Sequence, residues 1–236
     1  MNSKQPLVSI IMPSHNSEKY IEETINSVIL QSYDNWILEI TDDFSTDSTV
    51  EIIKKLMQNE GRINLICLDK KSGPGLARNK SIKRSNGKYI AFLDSDDTWE
   101  RDRLTKHIKF MEENDIAFSH SSYGYKNGLG QEIKRPFYVS DHPVSYENLL
   151  KHTEISCLTA IYNQQMIGKV YMPDIPRKQD YVTWLAILKK GFDSIPYQEV
   201  LAHYRLSSNE RRNLKSVFYH VKILRDTQKF SFFKAF

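Results

Sequence analysis

Compact apolar runs alternate with amphipathic segments over the first half of the chain. The runs predict buried strands at residues 7–12, 36–41, 63–68 and 89–93. The segments between them carry apolar residues at helical spacing and predict helices at about residues 21–29, 50–57 and 76–87. Strands that alternate with helices are typical of an α/β fold with a doubly wound, mainly parallel sheet.

Individual polar residues and prolines predict where these elements begin and end. Pro13 is expected to end the first strand, because a proline nitrogen cannot donate to a sheet ladder. Asn16 or Ser17 is expected to cap the first helix. Ser48 and Glu51 have the spacing of a capping box and are expected to open the second helix.

The pattern becomes looser after residue 121, with short strand-like runs among Gly, Asn and Tyr. We interpret residues 122–204 as a smaller second lobe that packs on the sheet and shapes the other half of a crevice. Residues 180–190 predict a helix with Trp184 facing inward and Gly191 as its stop. This places Asp180 at a helix N-terminus, where the helix dipole favours an ionised carboxylate. The first part of the chain is then residues 1–121.

The C-terminal segment, residues 205–236, carries the positive charge of the chain. It holds eight Lys or Arg against Glu210 and Asp226, which gives +6, whereas the whole chain is +4 and the remainder is therefore −2. This uneven distribution argues against a general nucleic-acid-binding surface. The segment predicts a basic amphipathic helix with an aromatic end, FSFFKAF, suited to an anionic membrane surface. The alternative is a helix that packs on the rest of the protein with a solvated basic face.

Composition indicates a soluble globular protein. The 236 residues are 40% hydrophobic and 26% charged, and no apolar run approaches the length needed to cross a bilayer. The N-terminus has no signal-peptide pattern. Cys67 and Cys157 match no metal or redox spacing, so we expect reduced packing residues in a cytoplasmic protein. If the C-terminal segment binds membrane, the protein is expected to be peripheral on the inner face of the cell membrane.

Three polar clusters directly follow predicted strands: PSHN after the first, TDDFSTD after the second and DSDD after the fourth. Ligands of such sheets bind outside the carboxyl ends of the strands, so we expect the clusters to face one crevice. Asp94, Asp96 and Asp97 would repel one another unless a positive group lies between them. A divalent cation with oxygen ligands would fill that place. The alternative is a polar turn that caps the next helix.

Two nucleotide-binding motifs do not fit the chain. KSGPGLARN has Arg78 where a dinucleotide fingerprint needs its third glycine, and it follows the third strand instead of the first. The P-loop pattern G-x-x-x-x-G-K-[ST] does not occur. DSDDT also has the D-x-D-x-T form of haloacid-dehalogenase-like phosphatases. In those proteins the motif belongs to the first strand of the fold and precedes a later acidic element. Here the motif closes the fourth strand, and the later acidic element is missing.

Five ordered stretches together resemble the inverting family 2 glycosyltransferases with the GT-A fold: VSIIMPSHN, SVILQSY, ILEITDDFSTDST, GPGLARNKSI and NGKYIAFLDSDDTW. The resemblance covers roughly residues 7–110. It implies transfer of a sugar from a nucleotide donor, UDP-linked, to an acceptor hydroxyl with Mn²⁺ or Mg²⁺. It also implies a saccharide or lipid-linked saccharide acceptor, in the assembly of a bacterial surface polysaccharide at the cytoplasmic face. The phosphatase and a catalytically inactive UDP-sugar-binding module remain the alternatives.

The resemblance implies roles for the residues of the first clusters. The first-strand loop would embrace the nucleotide with Pro13, Ser14, His15 and Asn16. Asp43 would accept the N3 hydrogen of uracil, and Arg78 would lie near the nucleotide or its phosphates. The alternatives are turn chemistry for Asp43 and a surface position for Arg78.

The stretch Asp94-Ser95-Asp96 matches the D-x-D element of the family. The resemblance implies that Asp96 ligates the metal that bridges the diphosphate, and that Asp94 holds the ribose or a metal-bound water. Ser95, between them, belongs to the same nucleotide-binding loop. Asp97 is expected at the helix entry or behind the metal site.

A later stretch, RKQDYVTWL, resembles the acidic-pair motif that supplies the catalytic base of the family. Asp180 matches the base, while Gln179 replaces the commoner Glu, which leaves that first position without an expected role. The alternative for Asp180 is a helix cap. LAHYRLSSN resembles a strand and loop that in some relatives close over the diphosphate. This implies that His203 is a further metal ligand or diphosphate contact and that Arg205 is a charge clamp; the alternative is a structural role for both.

Overall fold

The computed structural model describes residues 5–206 and 223–225 of the chain. Residues 1–205 form one compact unit, and residues 206–236 form a second. The strands of the first unit are β1 Val8–Ser14, β2 Trp36–Asp42, β3 Ile63–Cys67, β4 Tyr89–Phe92, β5 Thr98–Trp99, β6 Phe118–Lys126, β7 Ile161–Asn163 and β8 Ser194–Arg205. Its helices are α1 Ile21–Ile29, α2 Thr49–Met57, α3 Pro74–Arg84, α4 Arg103–Glu113, α5 Tyr146–Lys151, α6 Gln164–Ile167 and α7 Gln179–Leu188, with a 3₁₀ turn at Cys157–Thr159.

The strands form one mixed sheet in the order β3-β2-β1-β4-β7-β6-β8-β5. The four strands predicted from the first half of the chain pair in parallel, as expected. β7 then pairs antiparallel with both β4 and β6, while β8 runs parallel to β6 and antiparallel to β5. The later strands therefore extend the sheet of the first half.

The predicted division between residues 121 and 122 lies inside β6. β7 joins β6 to β4 by backbone hydrogen bonds, so residues 122–204 share the sheet and the compact unit of the first part. The looser pattern reflects short strands and long connections within one unit.

Pro13 does not end the first strand, which continues to Ser14 in register with β2. The pairing of β1 with β4 ends at Ile11, so Pro13 removes no donor from that ladder. Leu93 still donates its backbone N–H to the carbonyl of Ile11. The sheet therefore tolerates a proline at this position, because its neighbour on one side has already diverged.

The predicted helix caps are also wrong in detail. The first helix begins at Ile21 with Tyr20 as its N-cap, because Asn16 has a left-handed backbone with φ of 49° and belongs to the preceding loop. The second helix opens after Ser48, its N-cap, as predicted, but the side chain of Ser48 makes no capping hydrogen bond, since its ψ of 10° is not extended. Asp47 instead accepts hydrogen bonds from the backbone N–H and the hydroxyl of Thr49, at 3.0 and 2.6 Å.

The predicted helix near residue 180 is confirmed as α7. It starts at Gln179, and Gly191 follows its end with φ of 89°. Trp184 is fully buried between the rings of Phe92 and Phe118, with centroid distances of 5.3 and 5.5 Å. This packing anchors α7 against β4 and β6.

No helix in the described part of the chain is both long and apolar enough to span a membrane. The predicted C-terminal amphipathic helix lies outside the described residues except for residues 223–225, which are helical.

Candidate functional site

A cavity of about 360 Å³ opens where the carboxyl ends of β1, β2 and β4 meet the start of α3. Among the described residues it is lined by Pro13, Ser14, His15, Asp43, Lys71, Pro74, Arg78, Asp94 and Ser95. Of the residues predicted to bind nucleotide, only Asn16 and Asp96 are outside this lining. The strand ends therefore bring together side chains from three clusters that are far apart in the sequence.

Asn16 organises the loops behind the cavity. Its backbone N–H donates to the hydroxyl of Ser45 at 2.9 Å, and its side-chain oxygen accepts from the backbone N–H of Thr46 at 2.9 Å. Ser14 donates its hydroxyl to Asp42 at 2.9 Å. These bonds join the loop after β1 to the loop after β2, so the structure gives Asn16 a supporting place instead of a place in the wall.

Asp43 is buried and holds the loop that leads into α3. One carboxylate oxygen accepts from the backbone N–H of Ser72 at 2.6 Å, and the other accepts from that of Gly73 at 2.8 Å. Gly73 has φ of 91°, which suits glycine far better than other residues. Each carboxylate oxygen has a second lone pair, so Asp43 can still accept a proton donor from a ligand in the cavity. Its uracil contact stays a prediction.

Arg78 is buried, so the alternative of a surface arginine is wrong. Its guanidinium donates to the carboxylate of Asp94, whose side chain is 31% exposed. Burial disfavours the charged guanidinium, but the neighbouring Asp94 outweighs this and raises the pKa of Arg78. The pair places a permanent positive charge and an accessible carboxylate side by side in the cavity wall.

Lys71 is a wall residue that the sequence analysis missed. Its ammonium nitrogen lies 2.8 Å from Nε2 of His15, and both side chains line the cavity. Together with Arg78 it supplies a second cation to the same cavity. The two consecutive lysines before S-G-P-G were the available signal, because basic residues beside a glycine-rich turn suit an anionic ligand.

The DSDD loop is tied to the loop before α1 and to β8 by several bonds. The hydroxyls of Ser95 and Ser17 are 2.7 Å apart. The carbonyl of Asp96 accepts from Nε of Arg205 at 2.7 Å, and Asp97 accepts from the backbone N–H of Arg205 at 2.8 Å. Burial, together with the charges of Asp96 and Asp94, raises the pKa of Asp97 well above the usual range. Asp97 therefore anchors the loop from behind.

His203 and Arg205 are absent from the cavity lining. Nε2 of His203 lies 2.6 Å from a carboxylate oxygen of Glu100. The guanidinium of Arg205 donates to the carbonyl of Asn127 at 2.9 Å and to Glu23 at 2.5 Å, and it lies over the ring of Tyr20. Both the predicted metal ligand, His203, and the predicted clamp, Arg205, therefore have partners within the protein. Only the contacts of Arg205 brace the DSDD loop directly.

Asp180 lies in the first turn of α7, within electrostatic range of both Arg78 and Asp94. Burial raises its pKa, and this effect outweighs the backbone N–H of Tyr181 and the guanidinium of Arg78, which both lower it. A carboxylate with a raised pKa is a stronger base than a solvated aspartate. The fold therefore brings the predicted base, which does not line the cavity, within electrostatic range of the D-x-D element.

Two further side chains complete this region. Gln179 is buried and donates its side-chain amide to the carbonyl of Ile175 at 2.8 Å, which accounts for its presence without a catalytic role. Cys157 is buried within electrostatic range of Arg78, Asp94 and Asp180, and burial raises the pKa of its thiol well above the usual range. It is therefore a neutral, buried thiol near these charged groups.

The oxygen ligands near the cavity fit a divalent cation that is shared with a substrate. Within the described ranges, no group of three or more His, Cys, Asp or Glu side chains is arranged to hold a metal alone. Asp94 and Asp96 supply carboxylates, and Mg²⁺ commonly takes one or two carboxylates together with substrate phosphates. The donor set thus suits Mg²⁺ or Mn²⁺ bound with a diphosphate, and Asp94 and Asp96 would hold it.

The chain is similar to known sequences over most of its length. The family model described as Glycosyl transferase family 2 matches residues 9–168. A candidate teichuronic acid biosynthesis glycosyltransferase of Bacillus subtilis (strain 168), TuaG, is 39% identical over 100% of this chain and 94% of its own length. The Escherichia coli protein WfgD is 37% identical over 89% of this chain and 83% of its own length. WfgD is named a UDP-Glc:α-D-GlcNAc-diphosphoundecaprenol β-1,3-glucosyltransferase.

The fold is similar to that of a solved structure. The crystal structure of S. aureus TarS 1–349 in complex with UDP-GlcNAc superposes with a TM-score of 0.75 at 22% sequence identity. The match covers 93% of this chain but only 65% of the TarS chain. The predicted GT-A fold is confirmed by this similarity and by the family match.

Proposed function

The chain belongs to glycosyl transferase family 2 and is a glycosyltransferase, and from this premise we propose that it transfers a sugar from a UDP-linked donor to an acceptor hydroxyl with inversion. The observation that carries the proposal is the Arg78–Asp94 pair in the cavity wall, with Asp180 within electrostatic range of both residues. The donor is supported by the names of two similar proteins, one bound to UDP-GlcNAc and one named for UDP-Glc.

The arrangement suits an in-line displacement. Asp180 takes the proton of the acceptor hydroxyl while the acceptor oxygen forms a bond to the anomeric carbon. The bond from that carbon to the diphosphate oxygen breaks on the opposite face, and its electron pair leaves with UDP. Arg78 stabilises the negative charge that develops on the departing diphosphate. A divalent cation held by Asp94 and Asp96 would supply further Lewis-acid stabilisation of that leaving group.

The acceptor and the setting are also part of the proposal. TuaG is named for teichuronic acid biosynthesis, and WfgD for a diphosphoundecaprenol-linked acceptor. We therefore assign to this chain a saccharide or lipid-linked saccharide acceptor in surface polysaccharide assembly at the cytoplasmic face. The family match does not favour a phosphatase. The position of DSDDT after the fourth strand and the bond between Asp94 and Arg78 also argue against one.

The direct experiment measures UDP release from a panel of UDP-sugars without acceptor, in Mn²⁺, Mg²⁺ or EDTA, followed by transfer to saccharide acceptors. We expect metal-dependent UDP release that increases when a suitable acceptor is added. Binding of UDP-sugar without any turnover would favour the inactive binding module. Release of phosphate from simple phosphomonoesters without cleavage of UDP-sugars would favour the phosphatase.

Selection for uracil is expected to depend on Asp43. Asp43→Ala is expected to weaken UDP binding by about 1.5–3 kcal/mol, because a hydrogen bond to a charged group is lost. Calorimetry with UDP, GDP and ADP measures both affinity and base preference. Asp47→Ala is the control, since Asp47 caps α2 in the same loop region and does not line the cavity. Equal affinity of the wild-type protein for GDP and UDP would contradict the assignment.

The basic C-terminal segment is expected to bind anionic membranes. Each Lys or Arg near such a surface contributes on the order of 1 kcal/mol, and salt screens this attraction. We expect cosedimentation with phosphatidylserine-containing vesicles at low salt, and its loss at high salt or after truncation at Ser207. Vesicles of phosphatidylcholine alone are the control. Binding that survives the truncation would show that another surface is responsible.

A further inference from the structure

We infer that Asn79 is a positioning residue that fixes the segment carrying Asp180 against the donor cavity; the inference rests on the proposed function. Asn79 follows Arg78 on α3 and makes two hydrogen bonds to a single distant residue. Its amide donates to the carbonyl of Met172 at 2.8 Å, and its side-chain oxygen accepts from the backbone N–H of Met172 at 2.7 Å. Both polar atoms of the side chain therefore bind backbone, and Asn79 is not among the described residues that line the cavity.

Met172, the partner in both hydrogen bonds, also lies close to Arg78. Its side chain is buried, and its sulfur lies 3.9 Å from Nη1 of Arg78. Adjacent α3 residues thus contact the donor side through the Arg78–Asp94 pair and the acceptor side through the Asn79–Met172 pair. From Met172 the chain leads through residues 173–178 directly into α7.

A second contact between α3 and the same segment lies at Gly75. A Cβ atom at this position would lie 3.0 Å from Cγ of Gln179 and 3.2 Å from the carbonyl oxygen of Pro173. The first turn of α3 therefore packs directly on the first turn of α7, and a side chain at Gly75 would require the facing atoms to shift. Gln179 also donates to the carbonyl of Ile175, which ties the turn before α7 to the helix.

These contacts define a docking joint, formed by Gly75 and Asn79 on α3 and by Met172 and Gln179 on the facing segment. In-line transfer requires the base and the leaving group on opposite faces of one carbon. A shift of about 1 Å in such an arrangement costs on the order of 10²-fold in rate. The joint holds Asp180, on α7, relative to Arg78 and Asp94, which lie on the donor side.

The test uses Asn79→Ala in the full-length protein. We expect kcat for transfer to fall by about 10–10²-fold, with UDP-sugar affinity and its metal dependence within about twofold of wild type. Donor hydrolysis by water is expected to fall less than transfer, since it does not require a positioned acceptor. Asn163→Ala is the matched control, because Asn163 also bonds backbone N–H groups but at the start of α6. It is expected to lower stability without changing the ratio of transfer to hydrolysis.

Gly75→Ala tests the same joint through its second contact, the one between Gly75 and the segment before α7. The added methyl group must displace Gln179 or the Pro173 carbonyl, so we expect the same selective loss of transfer. Gln179→Ala in that background removes the Cγ contact and is expected to restore part of the rate. Loss of UDP affinity in parallel with transfer in either α3 variant would assign the residue to the donor wall and overturn the inference.

Amide hydrogen exchange separates this inference from the proposed function. Asn79→Ala is expected to accelerate exchange over residues 172–183 while leaving β1 and β4 unchanged. Unchanged exchange over residues 172–183 would overturn the joint, whatever the activity. Absence of UDP-sugar turnover by the wild-type protein would instead reject the proposed function, and the exchange measurement would still decide whether Asn79 holds the segment.

Discussion

Asp180→Asn is expected to reduce sugar transfer by about 10²–10⁴-fold, the usual contribution of a positioned general base. The amide keeps the shape of the side chain but cannot take the proton of the acceptor hydroxyl. Because Asp180 acts on the acceptor, UDP-sugar and metal affinity are expected to stay nearly unchanged, and the loss is expected in kcat. Transfer kinetics and donor calorimetry on the same purified variant measure the two effects.

The pH dependence supplies an independent check on Asp180. Burial raises the pKa of Asp180, so its carboxyl gains a proton at a higher pH than that of a solvated aspartate. The protonated form cannot accept a proton, so transfer is expected to fall on acidification before ordinary aspartates titrate. The residual activity of Asp180→Asn is expected to lack this step. Near-wild-type turnover of the variant, or loss of UDP binding in a folded protein, would assign the base to another residue.

Removal of the metal is expected to have the other large effect. UDP is expected to bind far more tightly in Mn²⁺ than in EDTA, because two carboxylates and a diphosphate repel one another without a cation between them. Asp96→Ala is expected to bring the ratio of the two affinities to about one, since a carboxylate ligand is lost. Calorimetry with UDP in both buffers measures this ratio.

A control for Asp96 must remove a carboxylate without disturbing the loop. Asp193→Ala serves, because Asp193 is exposed and lies outside the cavity lining. Asp97→Ala is unsuitable, since Asp97 anchors the backbone of Arg205 and its loss would disturb the whole DSDD loop. Equal affinity of the wild-type protein for UDP with and without metal would contradict the metal assignment.

The contacts of Arg205 distinguish between the clamp role and the structural role considered for that residue. The clamp role implied by the family resemblance needs a guanidinium that faces the diphosphate, whereas the structure shows it bonded to Glu23, Asn127 and the carbonyl of Asp96. The observed contacts account for its burial without a ligand. They also show why a strand-end arginine near a diphosphate site is an ambiguous signal in a sequence.

The sequence by itself determined the strands of the first half and the clusters that follow them. Apolar runs such as residues 89–93 have a local cause, because a strand buried on both faces must be apolar throughout. Parallel pairing then brings their carboxyl ends to one edge, so Asp43 and Asp94 share a crevice as expected from the strand pattern, and Arg78 lines it from α3. Gly191 and the inward Trp184 were equally local signals for α7.

Only the tertiary structure decided which side chains of the later strands reach that crevice. His203 and Arg205 are alternate residues of β8, and the partners on that face, Glu100 and Glu23, come from distant parts of the chain. The bond pair between Asn79 and Met172 likewise has no local signature, because an asparagine on a helix has the same appearance whether it faces solvent or a distant backbone. Periodicity reports the face on which a residue lies, whereas the element that packs against that face depends on the whole fold.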